Sequence, residues 1–271
     1  MSSSTEFANP MVWVVEGILV FFILFKILSA RRGAQLFIRR IPGLTVLDEA
    51  VGRATEMGKP ILYLPGLSGL GIVGLQAMAI LSHVVRHAAK YGTRVVVALA
   101  DALLYTVAEE VTKDAYATEG YPERFVPDDV RFLSERQFAF ASGVVGIQHR
   151  EQVASAFYFG DFFAESLIIA ENGQMVGAIQ VAGTPQTTQV PFFLVACDYT
   201  IIGDEYYAAS AYLSREPTLL GSLVGQDYGK LLLIGLVLLG TVFATVAALA
   251  PDIAAAPLLK KMFLDFFPRG L

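Results

Sequence analysis

The chain has 271 residues, of which 55% are hydrophobic and 17% charged. Soluble domains are about 45–50% apolar and about 25% charged, so this composition excludes disorder for most of the chain and is not that of an ordinary cytosolic enzyme throughout. One cysteine, Cys197, excludes an intramolecular disulfide framework and a cysteine-cluster metal site. A net charge of −5 argues against a nucleic-acid partner, which needs an excess of Lys and Arg.

Residues 1–10 carry no Lys or Arg and read as a short extracytoplasmic N-terminus. Residues 11–30 are hydrophobic at 16 of 20 positions and predict a transmembrane helix, with Glu16 and Lys26 near its ends. Arg31, Arg32, Arg39 and Arg40 follow it as a basic cluster at the membrane boundary. By the positive-inside rule they put the central domain, residues 31–230, in the cytoplasm of a multi-pass protein of the cell membrane. Lys260, Lys261 and Arg269 then fall outside, a conflict settled in favour of the first helix.

Within 31–230 the pattern predicts one compact domain. Gly33–Arg40 reads as a strand. Thr45 to Asp48 resembles a capping box opening a helix that runs to Met57, with Gly58 as its stop. Ile61–Leu64 reads as a strand, Leu75–Lys90 as a helix ended by Tyr91-Gly92, and Val95–Ala100 as a buried parallel strand. Leu103–Thr118 reads as a helix, Val130–Leu133 as a strand, and Glu135–Ile147 as a helix. Ser155–Phe159 is a strand, and Phe162–Glu171 a helix ending at Asn172-Gly173. Val176–Ala182 and Phe192–Tyr199 read as an antiparallel strand pair, with Cys197 mid-strand as a small hydrophobe. Asp204–Leu213 is the last helix. The alternation implies an α/β fold, a mainly parallel sheet flanked by helices in a Rossmann-like three-layer arrangement.

Residues 231–250 carry no charge, are again hydrophobic at 16 of 20 positions, and predict the second transmembrane helix. Gly240, Ala244 and Ala248 form a small-residue stripe suited to helix packing, and Glu16 marks a second candidate contact. In the tail, residues 251–271, Leu258, Leu259, Met262, Phe263 and Phe266 share one helical face. That face fits either an interfacial helix or a frayed or partner-packed tail.

The most suggestive motif runs from Gly66 to Gly74. It holds G-x-G-x-x-G at Gly69, Gly71 and Gly74 between a predicted strand and helix, with Asp101 ending the next strand where a ribose-binding acid belongs. Asp101 lies 27 residues past Gly74 rather than about 20, so a nucleotide site competes with a plain structural turn. Gly66, Ser68 and Gly69 also approach a nucleophile elbow, although Leu70 stands where glycine is needed and only His149 is placed to serve as base. His83 and His87 share a helical face at metal-ligand spacing. Arg86 between them and the lack of a third ligand favour two polar-face histidines. Glu109 and Lys113 form an i,i+4 pair on a solvated face. Asp161, Glu165, Asp198, Asp204 and Glu205 are candidates to converge on Mg²⁺. The stretch Phe157–Phe163, with Tyr206, Tyr207 and Tyr212, reads as core or interface.

The segments Ile38–Leu44, Asp48–Pro60, Phe162–Ser166 and Ala208–Pro217 resemble an uncharacterised prokaryotic family of membrane-anchored proteins, a domain-of-unknown-function family. The resemblance spans most of residues 33–230 and implies no catalytic role. The sequence thus favours a non-enzymatic binding or assembly module. Its expected partners are the lipid bilayer and a second copy or another membrane protein. The alternative is a small-molecule ligand, a nucleotide or dinucleotide, at Gly66–Gly74; no cofactor is assigned.

Overall fold

A computed structural model describes residues 10–34, 42–214 and 216–249. The chain divides into two compact units, one formed by its two terminal segments and the other by Arg39–Ser214.

In the central unit, α2 (Pro42–Met57) leads into β1 (Ile61–Gly66), α3 (Ile72–Tyr91), β2 (Val95–Leu99) and α4 (Ala102–Thr118). Two short 3-10 turns precede β3 (Val130–Phe132), followed by α5 (Gln137–Glu151), β4 (Ser155–Asp161) and α6 (Glu165–Met175). The unit closes with β5 (Ile179–Thr184), α7 (Val190–Ala196), β6 (Tyr199–Ile202) and α8 (Glu205–Ser214). The six strands form one sheet in the order β3-β2-β1-β4-β5-β6, and every pairing is parallel. Sequence order reverses between β1 and β4, which makes their carboxyl ends the topological switch point.

The central strands β1 and β2 are buried at every position, as expected of strands covered on both faces. Alternate side chains feed two cores. Ile61, Tyr63, Val95, Val97, Phe157 and Phe159 pack under α2, α3, α4 and α8. Leu62, Leu64, Val96, Ala156 and Tyr158 pack under α5, α6 and α7. The edge strands β3 and β6 are mostly uncovered, which fits their short length.

Several predicted elements move. The first helix of the domain begins at Pro42, so Thr45 lies inside it and no capping box forms there. Gly33 and Ala34 follow the terminal helix in a turn, and the rest of the predicted strand at Gly33–Arg40 lies outside the described residues. Helix α6 runs past Gly173 to Met175, and Gly177, at φ +77°, turns the chain instead. The run read as a strand at Phe192–Tyr199 is helix α7 followed by β6, and β5–β6 is parallel rather than antiparallel. Two observations explain this. Pro191 suits the first turn of a helix. The buried residues are Val190, Phe193 and Ala196, spaced by three, with Leu194 and Val195 exposed. Cys197 therefore follows a helix and is not mid-strand.

The other unit contains α1 (Pro10–Arg31) and α9 (Pro217–Leu249). Helix α9 starts fourteen residues before the predicted segment at 231–250. Those added residues carry the packing. A Cβ on Gly221 would sit 2.5 Å from the Ile27 Cα, one on Gly225 2.6 Å from the Ile23 Cα, and one on Gly229 2.7 Å from Leu19. Glycine every fourth residue thus lets the two backbones approach in antiparallel register. Phe22 stacks on Tyr228, the Lys26 ammonium lies 4.2 Å over the Tyr228 ring, and Arg31 donates to Thr218 Oγ1 at 3.2 Å. Trp13, Phe21, Leu24, Phe25 and Leu28 are exposed. Helices α1, α9 and α3 are each long and apolar enough to cross a membrane. Half of α3 is buried inside the domain, whereas α1 and α9 present their apolar surface outward.

Candidate functional site

The carboxyl ends of β1 and β4 meet more closely than side chains permit. Gly66 has φ +65°, and a Cβ there would overlap the Asp161 carbonyl oxygen, which accepts the Leu67 N–H at 2.8 Å. A Cβ on Gly160 would overlap the Pro65 carbonyl. Ser68 is buried between them. Its Oγ accepts the Asp161 N–H at 2.7 Å and lies 3.5 Å from Asp161 Oδ2, while Gln186 Nε2 donates to Asp161 Oδ1 at 3.0 Å. Ser68 is therefore a clasp between strands. His149 bonds Asn172 on α6 and sits near the end of α5, at the opposite edge of the sheet, so it is no base for Ser68.

Beyond the clasp the turn opens. Gly69, Leu70 and Gly71 are exposed, and the Gly71 N–H donates to the Gly69 carbonyl at 2.8 Å. Gly71 begins α3 without a side-chain cap. The first-turn amides of α3 consequently have no capping oxygen, and they carry the positive end of the helix dipole. The three glycines differ in role. Gly74 is required for packing, because its Cβ would overlap the Gly69 carbonyl; around Gly71 nothing lies within 4 Å. Asp101 ends β2 beside this turn. Its Oδ1 caps α4 by accepting the Leu104 N–H at 2.7 Å, and its Oδ2 is 3.6 Å from a Cβ built on Gly69. The structure thus brings Gly69, Gly71, Gly74 and Asp101 together. Tyr206 fastens α8 to the same helix start by donating to the Val73 carbonyl at 2.7 Å. Burial, and then the Asp161 carboxylate, push its phenol well above the ordinary value and keep it a donor.

The five acids do not converge. Asp161 and Glu165 stand at the carboxyl end of β4, and Asp204 and Glu205 follow β6. Asp198 lies at the amino edge, where it accepts the Gln180 N–H at 2.8 Å. Glu165 is fully buried, accepting from Gln137 Nε2 at 2.6 Å and from the Phe163 N–H at 3.0 Å. Ser166 donates to Gln189 at 2.9 Å. Sequence reasoning missed Gln137, Gln186 and Gln189, since uncharged amides in loops and at helix starts follow no spacing rule. Lys113 pairs with Glu110, not Glu109. Phe157, Tyr158, Phe159 and Phe162 are core, while Phe163 is exposed. An open hollow of about 410 Å³ at the amino edge of β5 is lined by Arg53, Gln180, Cys197 and Asp198. Burial pushes the Cys197 thiol up, away from thiolate chemistry.

On the outer side of the helices the two predicted polar-face histidines acquire a neighbour. Asp48 Oδ1, from α2, is 3.6 Å from His83 Nε2 and 3.1 Å from His87 Nδ1. Burial holds the His83 imidazole below its ordinary pKa despite Asp48 beside it.

The remaining site expectations fall in the terminal unit. Glu16 is exposed on α1, as are Arg31 and Arg32; Arg39 and Arg40 lie outside the described residues. Gly240 is buried and Ala244 exposed, and the Ala248 side chain is outside the described set, as is the amphipathic tail at 251–271.

No curated protein and no solved structure gives a significant match to the chain. The family model described as Domain of unknown function (DUF6754) matches residues 3–254, nearly the whole chain and wider than the resemblance read from its motifs. The chain belongs to the DUF6754 family.

Proposed function

We propose that the protein is a membrane-anchored assembly module whose docking face is the carboxyl rim of the sheet, and whose partner there is a second copy of the chain. One observation carries this reading. Leu70 and Ile72 after β1, Leu103 after β2, Phe132 and Phe138 at the end of β3 and after it, and Phe163 after β4 are all exposed. These positions follow four neighbouring strands, β3-β2-β1-β4, so they line one stretch of the rim. Apolar patches of that kind mark interaction surfaces. Anchoring by α1 and α9 in the cell membrane, with the domain cytoplasmic as the arginine cluster directs, confines copies to one plane and raises their effective concentration. Residues 41–230 carry 12 basic and 21 acidic groups, which opposes self-association through the polar surface and leaves the apolar rim as the contact.

Crosslinking in native membranes, followed by sizing in mild detergent, tests this. The chain should crosslink to itself, and Phe138→Asp with Leu103→Asp should abolish the product. A strictly monomeric wild-type chain refutes it.

A second reading, a Rossmann-like nucleotide site, is favoured by the uncapped start of α3 with Gly71 open and Asp101 alongside. It expects a thermal shift of the detergent-solubilised chain with NAD(H), NADP(H) or a nucleoside phosphate, lost in Gly71→Val. No shift at saturating ligand removes it.

A further inference from the structure

We propose that Asp48, His83 and His87 form a binding site for one divalent transition-metal ion of the zinc class, bridging α2 and α3. The site is separate from the carboxyl rim and does not rest on the assembly reading.

The ligand atoms are already placed for an ion. Zinc bonds imidazole nitrogen at about 2.0–2.1 Å and carboxylate oxygen at about 2.0–2.2 Å, so ligand atoms in a tetrahedral site stand about 3.3 Å apart. The observed separations from Asp48 Oδ1, 3.6 and 3.1 Å, bracket that value. The three ligand atoms all lie within 4.8 Å of one another. His83 and His87 are one helical turn apart on α3, so the rigid helix fixes their spacing, and Asp48 closes the triangle from α2.

The donor set decides the class of ion. Two imidazoles and a carboxylate suit zinc and its neighbours; Ca²⁺ and Mg²⁺ prefer an all-oxygen shell. Three protein ligands leave a fourth position for water. The ligands are accessible, with side chains 32%, 26% and 51% exposed for His83, His87 and Asp48. Arg86 opposes a cation, since its charge bears on His83. The Asp48 carboxylate acts on His83 more strongly and offsets it.

The consequence is structural. The inner face of α2, with Leu47, Ala50, Val51 and Ala54 buried, covers one core of the sheet. A metal clip at Asp48 holds that cover to α3 and couples ion binding to stability.

The test uses the full chain in detergent, purified without a polyhistidine tag. Zinc chloride is titrated against a chromophoric chelator, and Co²⁺ serves as a spectroscopic probe. The expected result is one equivalent of Zn²⁺ and tetrahedral Co²⁺ d–d absorption. Saturating Zn²⁺, at about 100 times its Kd, should raise Tm by about 5–10 °C. Asp48→Asn, His83→Gln and His87→Gln should each weaken binding by at least about tenfold. His149→Gln, which removes the chain's third and last histidine, should leave it unchanged. Near-UV circular dichroism without metal checks that each variant is folded. Absence of stoichiometric binding, or binding that survives in a folded His83→Gln/His87→Gln double variant, overturns the proposal.

Discussion

Gly74 offers a direct test of how the β1–α3 turn is built. Gly74→Ala places a methyl group where the Gly69 carbonyl oxygen now sits. Two effects compete. Alanine is favoured over glycine inside a helix by about 1 kcal/mol. Against this, forcing an extra carbon into a closed contact costs about 1–3 kcal/mol. The displaced Gly69 carbonyl also loses the Gly71 N–H, now at 2.8 Å, worth about 0.5–1.5 kcal/mol. The neighbour that must move is backbone, tied to the turn on both sides, so the clash wins. The net expectation is destabilisation by about 1–2 kcal/mol, a fall in Tm of about 2–8 °C for a domain of this size.

Thermal unfolding of the full chain in detergent, followed by near-UV circular dichroism, reads this out. Ten of the eleven tyrosines lie in residues 42–214, whereas the sole tryptophan, Trp13, is in α1, so the two chromophores report on different units. Gly71→Ala is the control. Its backbone is extended, at φ −123° and ψ −174°, and nothing lies within 4 Å of the added carbon. Its stability should stay within about 0.5 kcal/mol of wild type, the entropy gain and the poorer cap nearly cancelling. If Gly74→Ala matched or exceeded wild type in stability, the packing of the turn would be refuted, since the clash would then not outweigh the helix propensity of alanine.

Two further outcomes follow from the packing. Gly225→Leu should separate α1 from α9, since even a Cβ there would sit 2.6 Å from the Ile23 backbone; Trp13 fluorescence and disulfide crosslinking between engineered cysteines on the two helices would detect it. Glu151 gives a pH dependence. Burial raises its pKa, but hydrogen bonds and charge from Arg131 and Arg94 outweigh this and leave it below the ordinary value. A lowered folded-state pKa stabilises above the unfolded value of about 4.3, and that contribution is lost as pH falls through the folded value. Glu151→Gln should therefore flatten acid unfolding below about pH 4.3 while costing less than about 1 kcal/mol at pH 7, the pair being partly exposed.

What the sequence made legible depended on whether a local rule was sufficient. Val95–Leu99 is a continuous β-branched and apolar run that only a doubly covered strand explains, and it is one. Gly92, at φ +73°, ends α3 where the sequence predicts a helix stop. By contrast, Phe192–Ala196 is apolar at every position, and such a run carries no periodicity until burial is known. Residues 217–230 fall outside the apolar segment at 231–250 because Gln226, Asp227 and Lys230 lower their hydropathy, although Gly221, Gly225 and Gly229 there let α1 approach. Asp48 was invisible as a partner of His83 and His87, since it sits 35 residues before His83 and reaches it only through packing of α2 on α3.

The two edges of the sheet are built for different ends. At the amino edge, Arg94 bonds both Asp129 oxygens at 2.9 Å and Glu151 at 2.9 Å, and Arg131 bonds Glu151 at 3.0 Å. Ser155 donates to the Ala50 carbonyl at 2.7 Å, and Thr55 meets Thr93 at 2.5 Å. Polar groups there bond one another and join β2, β3, α5 and α2. At the carboxyl edge the clasp of Ser68, Asp161 and Gln186 secures only β1, β4 and the loop after β5. Around it stand an uncapped helix start and exposed Leu, Ile and Phe side chains. If the rim held no partner, polar substitutions at the exposed Ile72, Leu103 and Phe138 would leave stability within about 0.5 kcal/mol and association unchanged. Exposed apolar side chains on that edge, opposite one joined by ion pairs, are what the proposed assembly reading requires, and their polar substitution is its test.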